Sequence, residues 1–242
     1  MDANYRNVNL RMKTKGINMK LSKIIIAALA VLSCGCLVQS VNAIPTLTLS
    51  DGTTTIVVTD GSALDSNTLA GAVTFNGALG SNFILNVSTG LTKPLTGSAS
   101  APSIDLNSVD LATGAGTLTI SFSETGFTAF PGILTGDVGG TVGPGGSLTN
   151  IVMQNGLDLV TNGPFGGPGF VGGNGSAALI DGAPYSLTQT AILTFGPAGG
   201  MISFDAAATV VGVPDGGMTL TMLGIGLLAV AAAGRIYRIA RG

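Results

Sequence analysis

The chain of 242 residues contains no histidine and no tryptophan. Without histidine, a Ser-His-Asp triad, a Cys-His pair and an ordinary zinc site are excluded. Glu124 is the only glutamate, and the aspartates lie mostly where strands are predicted to end, so turn formation explains them better than paired catalytic carboxylates do. The sequence therefore predicts that the protein is not an enzyme.

Basic residues are almost absent from the central part of the chain. Residues 44–213 contain ten acidic side chains and a single basic one, Lys93, whereas the net charge of the whole chain is only −2. A protein that binds nucleic acid needs lysine and arginine to contact the phosphates. We therefore expect no nucleic-acid partner. The remaining basic residues lie near the two termini.

The N-terminal region has the pattern of a secretory signal peptide. Lys20 and Lys23 precede an apolar run, and Val41-Asn42-Ala43 provides small residues at the positions that signal peptidase reads. We predict a signal peptide over residues 19–43, cleaved between Ala43 and Ile44. This pattern predicts that the protein is exported and that signal peptidase acts on it.

Two further features concern the same region. Residues 1–18 are polar and precede a second methionine, Met19, so we interpret them as a non-native extension. The only cysteines, Cys34 and Cys36, both precede residue 44, and the central part therefore has no disulfide framework. As an alternative to signal peptidase cleavage at Ala43, Val31-Leu32-Ser33-Cys34 forms a lipobox in which Cys34 is acylated.

The C-terminal region combines a short motif, an apolar run and a basic tip. The motif is Val213-Pro214-Asp215-Gly216-Gly217, and the uncharged run that follows, Met218 to Gly234, has 17 residues. A helix of that length reaches about 25 Å, near the lower limit for crossing a hydrocarbon core. We predict a short transmembrane helix, with a cytoplasmic tip formed by Arg235, Arg238 and Arg241.

This order of motif, helix and basic tip resembles the PEP-CTERM family of bacterial C-terminal sorting signals. The resemblance implies that an exosortase, a membrane-embedded cysteine transpeptidase-like enzyme, processes the exported protein near the motif, so that residues 213–242 form a sorting signal. The commonest motif of the family is Val-Pro-Glu-Pro. Here Asp215 and Gly216 replace its last two residues, as in the Val-Pro-Asp-Ser-Gly and Val-Pro-Asp-Gly-Gly variants. The alternative is an ordinary stop-transfer anchor in which Pro214 and the glycines merely begin the helix.

The central part has the two-residue period of β-strands. In Thr117–Ser123, apolar residues alternate with threonine and serine, which is typical of a half-buried strand. Seven further segments are rich in Thr, Val, Ile, Leu and Phe: Thr46–Leu49, Thr54–Thr59, Val73–Asn76, Asn82–Ser88, Ser147–Gln154, Tyr185–Phe195 and Met201–Val211. They predict an all-β fold, a single β-sandwich or jelly-roll-like domain over residues 44–212. A signal-peptide helix and a transmembrane helix are expected to flank it.

Glycine-rich segments interrupt this pattern. The sequence predicts irregular structure over Thr161–Ser176 and over Gly139–Gly146, because both are rich in glycine and lack a strand period. Four phenylalanines fall in predicted loops, where they are either exposed stacking groups or small clusters under the loops. They are Phe127, Phe130, Phe165 and Phe170.

One acidic segment is a weak candidate for a calcium loop. Asp60, Asp65 and Asn67 bring oxygen ligands into eight residues, and Ca²⁺ needs six to eight oxygens. The spacing is not that of an EF-hand, and Asp and Asn also favour plain turns. No other metal or cofactor is indicated.

Two functions from different classes remain. The first is an exported bacterial cell-surface or extracellular-matrix structural protein, anchored in the membrane at least transiently, sorted by an exosortase and associated with extracellular polysaccharide. The second is a surface adhesin or carbohydrate-binding module held by a plain C-terminal membrane anchor. The second needs exposed aromatic rings or a calcium loop gathered on one side of the sandwich. The observation that distinguishes it is whether Phe165 and Phe170 lie on the surface near Asp60 and Asp65.

Overall fold

The computed structural model describes residues 44–212, 221–228 and 230. The first of these ranges folds into twelve β-strands. Residues 221–228 form a short helix, α1. The strands are β1 (Thr46–Ser50), β2 (Thr55–Thr59), β3 (Ala72–Leu79), β4 (Phe83–Leu91), β5 (Ser103–Ala112), β6 (Gly116–Phe127), β7 (Gly132–Val142), β8 (Ser147–Gln154), β9 (Leu157–Gly166), β10 (Gly169–Ala178), β11 (Tyr185–Phe195) and β12 (Gly200–Gly212).

The strands form two antiparallel sheets of six strands each. Sheet I has the order β2-β1-β6-β11-β8-β9, and sheet II has the order β10-β7-β12-β5-β4-β3. The inner faces of the two sheets together bury the hydrophobic core. The predicted all-β sandwich is therefore confirmed, and each of the eight segments predicted as strands overlaps one of these strands.

The alternation of side chains explains the core. Along β6, Leu118, Ile120 and Phe122 are fully buried, while Thr119 and Ser121 point outward. Phe122 packs so closely against Gly90 of sheet II that a Cβ atom at position 90 would collide with the Phe122 ring. A glycine is therefore required there to let the two sheets approach each other.

The chain passes from one sheet to the other at both lateral edges. The β2–β3 connection joins the edge strand of sheet I to the edge strand of sheet II, and the β9–β10 connection does the same at the opposite side. The Asp60–Asn67 segment belongs to the first connection, whereas Phe165 and Phe170 lie on β9 and β10. These two groups of residues therefore occupy opposite edges of the sandwich.

The prediction of irregular structure in the glycine-rich segments is wrong. Most of Thr161–Ser176 lies in β9 and β10, and Gly139–Val142 is the end of β7. A run of glycines has no side chains, so it cannot show the alternation of apolar and polar residues that marks a strand. Its backbone can still form the hydrogen bonds of a sheet. The β10 backbone pairs with β7 over ten consecutive residues without a register shift.

Strand β5 lacks the sequence period from which other strands are predicted. Its inward-facing positions include Ser108 and Asp110, both buried, so the expected alternation of apolar and polar residues is broken. Phe127 was also wrongly assigned to a loop. It is the last residue of β6 and is fully buried against Tyr185, with ring centroids 6.0 Å apart.

Several predictions concern residues outside the described part of the chain. These are the signal peptide with Ala43, the Val213–Gly217 motif and the arginine tip. Helix α1 falls within the predicted transmembrane run of residues 218–234, most of whose other residues are also outside the described part. No helix among residues 44–212, 221–228 and 230 meets the length and apolarity needed to span a membrane.

Candidate functional site

The Asp60–Asn67 segment is a hydrogen-bonded turn. The Oδ1 atom of Asp65 accepts bonds from the backbone amides of Asn67 and Thr74, each at 2.9 Å, and its Oδ2 accepts one from Gly61 at 3.1 Å. Asp60 Oδ2 accepts a bond from the Gly71 amide at 2.7 Å. These carboxylates therefore stabilise the β2–β3 connection through hydrogen bonds to its backbone. Turn formation of this kind is the alternative to a calcium loop.

Among the residues that the structure describes, no three His, Cys, Asp or Glu side chains come close enough to share an ion. The aromatic residues do not gather beside the acidic segment. Phe170 is 94% exposed, but Phe165 is partly buried against the core, and both lie at the edge opposite Asp60 and Asp65. Phe165 and Phe170 therefore do not lie near Asp60 and Asp65, although the binding hypothesis expects them there.

Sheet II carries an open groove on its outer face. Its volume is about 270 Å³. It runs across the three central strands β5, β12 and β7, where Gly139 and Gly140 contribute no side chains. The lining residues are Asn107, Ser108, Val109, Gly139, Gly140, Ser203, Phe204 and Asp205. Sequence reasoning missed this groove because its walls come from three segments far apart in the chain.

One carboxylate, that of Asp205, lines the groove, and two more lie beyond one end of it. Asp205 lies opposite Asn107 on β5 and Gly139 on β7. Two rungs along, Asp105 and Asp137 flank Ala207 from either side. Burial and then the negative charge of Asp205 raise the pKa of Asp105, whose Oδ1 accepts a bond from Asn107 Nδ2 at 3.2 Å. The carboxylates can accept hydrogen bonds from the hydroxyl groups of a polar ligand, and the amide of Asn107 can both donate and accept them.

Sheet I presents a different outer face. The outward residues of β2, β1, β6, β11 and β8 are mostly threonine and serine, and none of them is charged. Their hydroxyl groups bond across the strands: Ser121 with Thr190 at 2.9 Å, and Thr188 with Ser123 at 3.0 Å. We call this surface the hydroxyl face.

A buried ion pair closes one end of the sandwich. Lys93 Nζ lies 3.0 Å from Glu124 Oε1, donates a bond to the Thr125 carbonyl at 2.7 Å and sits 4.6 Å from the Phe127 ring centroid. The side chain of Glu124 is only 1% exposed, and its burial raises its pKa, although Lys93 opposes that shift. Lys93 is the only basic side chain in residues 44–212. Its role is therefore to neutralise a buried carboxylate.

Polar side chains also enter the core. Ser88 and Ser108 share a hydrogen bond of 2.7 Å, and Ser108 donates to Asp110 Oδ1 at 2.7 Å. Asp110 is fully buried, and this burial raises its pKa to about 7. Its Oδ2 has no hydrogen-bond partner in the described structure, and neither have the amide groups of Asn150 and Gln189 on the inner face of sheet I. These groups face the interior, so a ligand on either outer face does not reach them.

Comparison with known proteins identifies no family. No protein-family model and no curated protein sequence matches the chain. Among solved structures, the carbohydrate-binding module TmCBM61, determined in complex with β-1,4-galactotriose, is similar over 51% of this chain and 87% of its own, with 9% identity and a TM-score of 0.33. The structure of the infectious bursal disease virus Gx strain is similar over 74% of this chain and 53% of its own, with 12% identity and a TM-score of 0.29. Similarities this low support no conclusion about function.

Proposed function

We propose that this protein is an exported structural protein of the bacterial cell surface or extracellular matrix, sorted and processed at its C-terminal signal. One observation carries the proposal. Among the described residues, the sandwich runs from β1, which begins at Thr46, to β12, which ends at Gly212. The predicted signal peptidase site, between Ala43 and Ile44, and the motif that begins at Val213 therefore flank it closely.

This position makes processing compatible with folding. Removal of residues 1–43 and of the segment after the motif leaves all twelve strands and the core in place. The domain needs no disulfide, because its stability comes from apolar burial between two sheets. Signal peptidase, an exosortase and the membrane are the processing partners in this proposal, and extracellular polysaccharide is the surrounding material. The proposal assigns no catalytic role to the domain.

Mass spectrometry of both termini tests the proposal on protein from envelope and secreted fractions. We expect an N-terminus at Ile44 and a C-terminus within or beside Val213–Gly217. The variant Pro214→Ala should retain its tail, whereas Pro184→Ala, in the loop before β11, should be processed normally. An intact C-terminus at Gly242 on all of the surface protein would contradict processing and leave a plain anchor. An acylated N-terminus at Cys34 would replace the signal peptidase step by the lipoprotein route.

A second candidate function, carbohydrate binding, is favoured by the groove on sheet II. Asp205 and Asn107 place a carboxylate and an amide side by side over a floor left open by glycine, an arrangement suited to sugar hydroxyls. A screen of the full chain against immobilised neutral glycans tests it. Binding should be lost in Asp205→Ala and kept in the control Asp181→Ala, which removes an exposed carboxylate from the loop before β11. Equal binding by both variants would rule out the groove.

A further inference from the structure

The sandwich has four edge strands, and they differ in how they are protected against pairing with another chain. An exposed edge presents unpaired backbone N–H and C=O groups, and proteins usually block it with a short strand, a bulge, a proline or a charge. Strand β2 has only five residues. Strand β3 has a register shift between Phe75 and Gly77. Strand β9 has two register shifts and contains Pro164. Each of these three edges therefore has at least one such device.

Strand β10 has none of them. Its ten residues, Gly169 to Ala178, include no charged residue and no proline, and its register with β7 is continuous. None of its residues is buried, and in the described part of the chain its backbone hydrogen-bonds only to β7. In an antiparallel strand, about half of the backbone groups point away from the one partner. A row of these groups on β10 therefore faces outward without a protein partner.

We propose that β10 is a self-association edge, at which two copies of this chain join their sheets II into one continuous antiparallel sheet. A two-fold symmetric pair requires side chains opposite each other to lie on the same face. With Asn174 opposite its own copy, Phe170 lies opposite Ala178 on the outer side and Val171 opposite Ala177 on the inner side. This register pairs apolar residues with apolar residues. It also covers Phe170, which is 94% exposed in the single chain.

Charge favours this edge over the outer face of sheet II. That face carries Asp105, Asp137 and Asp205, so two copies that meet through it bring like charges together. The nearest carboxylate on sheet II is Asp137, on β7 opposite Asn174. In the paired sheet, the two copies of Asp137 are separated by three strand spacings, about 14 Å. That distance exceeds the screening length of about 8 Å at physiological salt. The uncharged glycine-rich edge thus permits an approach that the acidic outer face of sheet II opposes.

The register can be tested by cross-linking at the two-fold axis. Directly opposed residues in an antiparallel sheet have Cα atoms about 4.5–5.5 Å apart, which suits a disulfide. We expect Asn174→Cys, placed in a full-length chain carrying Cys34→Ser and Cys36→Ser, to form a covalent dimer under mild oxidation. Thr209→Cys, exposed on the central strand β12 of the same sheet, should remain monomeric. Cross-linking of both variants alike, or of neither, would overturn the proposal.

The strength of association is measured by sedimentation of the full-length chain in detergent solution over a range of concentrations. Asn174→Glu puts like charges opposite each other at the axis and should weaken self-association by about tenfold or more. Thr209→Glu adds the same charge away from the edge and should leave it unchanged. Circular dichroism confirms that each variant is folded. A monomer at every concentration, or an equal effect of the two variants, would overturn the proposal. Neither result depends on whether the tail is processed.

Discussion

The two sheets share one core but differ in the chemistry of their outer faces. Sheet I carries the uncharged hydroxyl face, where side chains bond to one another across the strands. Sheet II carries Asp205 in an open groove and Asp105 and Asp137 beyond one end of it. Both faces belong to strands with similar backbone requirements, so β-propensity alone does not explain the contrast. The carbohydrate site proposed above depends on the carboxylates of sheet II, whereas the outer face of sheet I is a uniform surface of hydroxyl groups.

The interiors of the two sheets contrast as well. Sheet I holds its buried carboxylate, Glu124, against Lys93. Sheet II holds Asp110 against Ser108 alone, with no positive charge in contact. Burial raises the pKa of both carboxylates, but a cation opposes that shift at Glu124, whereas only a hydroxyl group does so at Asp110. This distinction leads to the following predictions.

The largest effect is expected where the two sheets meet. Phe122→Ala removes a fully buried ring that packs on Gly90, and we expect the free energy of unfolding to fall by about 3–5 kcal/mol. Urea denaturation measures this loss. As the control, Ile84→Ala truncates a side chain that is 48% exposed on the outer face of sheet II and should change stability by less than about 0.5 kcal/mol. Similar losses in both variants would mean that the inner faces are not the main source of stability.

Asp110 should make stability depend on pH. Its pKa in the folded state, about 7, lies above the value of 3.8 expected in the unfolded chain. The folded state therefore keeps a proton that the unfolded chain releases as the pH rises from about 4 to about 7. Over that window the free energy of unfolding should fall by up to about 1.4 kcal/mol per pH unit. The stabilising contribution of this group should be largest below pH 4, and no further loss from it is expected above pH 7.

The variant Asp110→Asn tests this assignment, because asparagine resembles the protonated acid and does not titrate. Denaturation midpoints measured from pH 4 to pH 8 should depend less on pH in the variant than in the original protein. Raised pKa values of Asp105 and Glu124 act in the same direction and should account for the slope that remains. An unchanged slope would show that Asp110 is not the titrating group.

The ion pair of sheet I should contribute less. Lys93→Met leaves the buried Glu124 without its partner, and we expect a loss of about 2 kcal/mol in the free energy of unfolding. This is below the range for fully buried pairs, because the Lys93 side chain is 20% exposed. The double variant Lys93→Met, Glu124→Leu should recover most of the loss. A thermodynamic cycle of the single and double variants measures the coupling, and a coupling of zero would contradict the pairing.

The smallest effects are expected on the outer faces. Thr190→Val removes a hydroxyl group from the hydroxyl face and leaves Ser121 without that bond, which should cost about 1 kcal/mol at a site only 6% exposed. Thr209→Val on sheet II breaks a 3.2 Å contact with Thr135 that water can replace, and should change stability by less than about 0.5 kcal/mol. Thermal denaturation compares the two. Equal losses of stability in the two variants would show that hydrogen bonds between hydroxyl groups contribute no more on sheet I than on sheet II.

Predictions from the sequence succeeded where side chains display the strand period. Thr117–Ser123 and Tyr185–Phe195 alternate clearly, and both are strands of sheet I. They failed where glycine hides the period, as in β10, and where polar residues occupy inward positions, as at Ser108 and Asp110. For the acidic segment Asp60–Asn67, the sequence predicts either a calcium loop or a plain turn. Only the hydrogen bonds of Asp65 showed that its oxygens serve the turn.

The sequence by itself determined the fold class, the acidic character of the domain and the exclusion of histidine-dependent catalysis, because composition and local alternation need no knowledge of distant contacts. The processing sites at Ala43 and Val213–Gly217 are also read from local pattern and remain predictions. Tertiary structure alone decided the rest. The groove, the Lys93–Glu124 pair and the open β10 edge each depend on which strands become neighbours. Strand order is set by the packing of the whole chain rather than by any one segment.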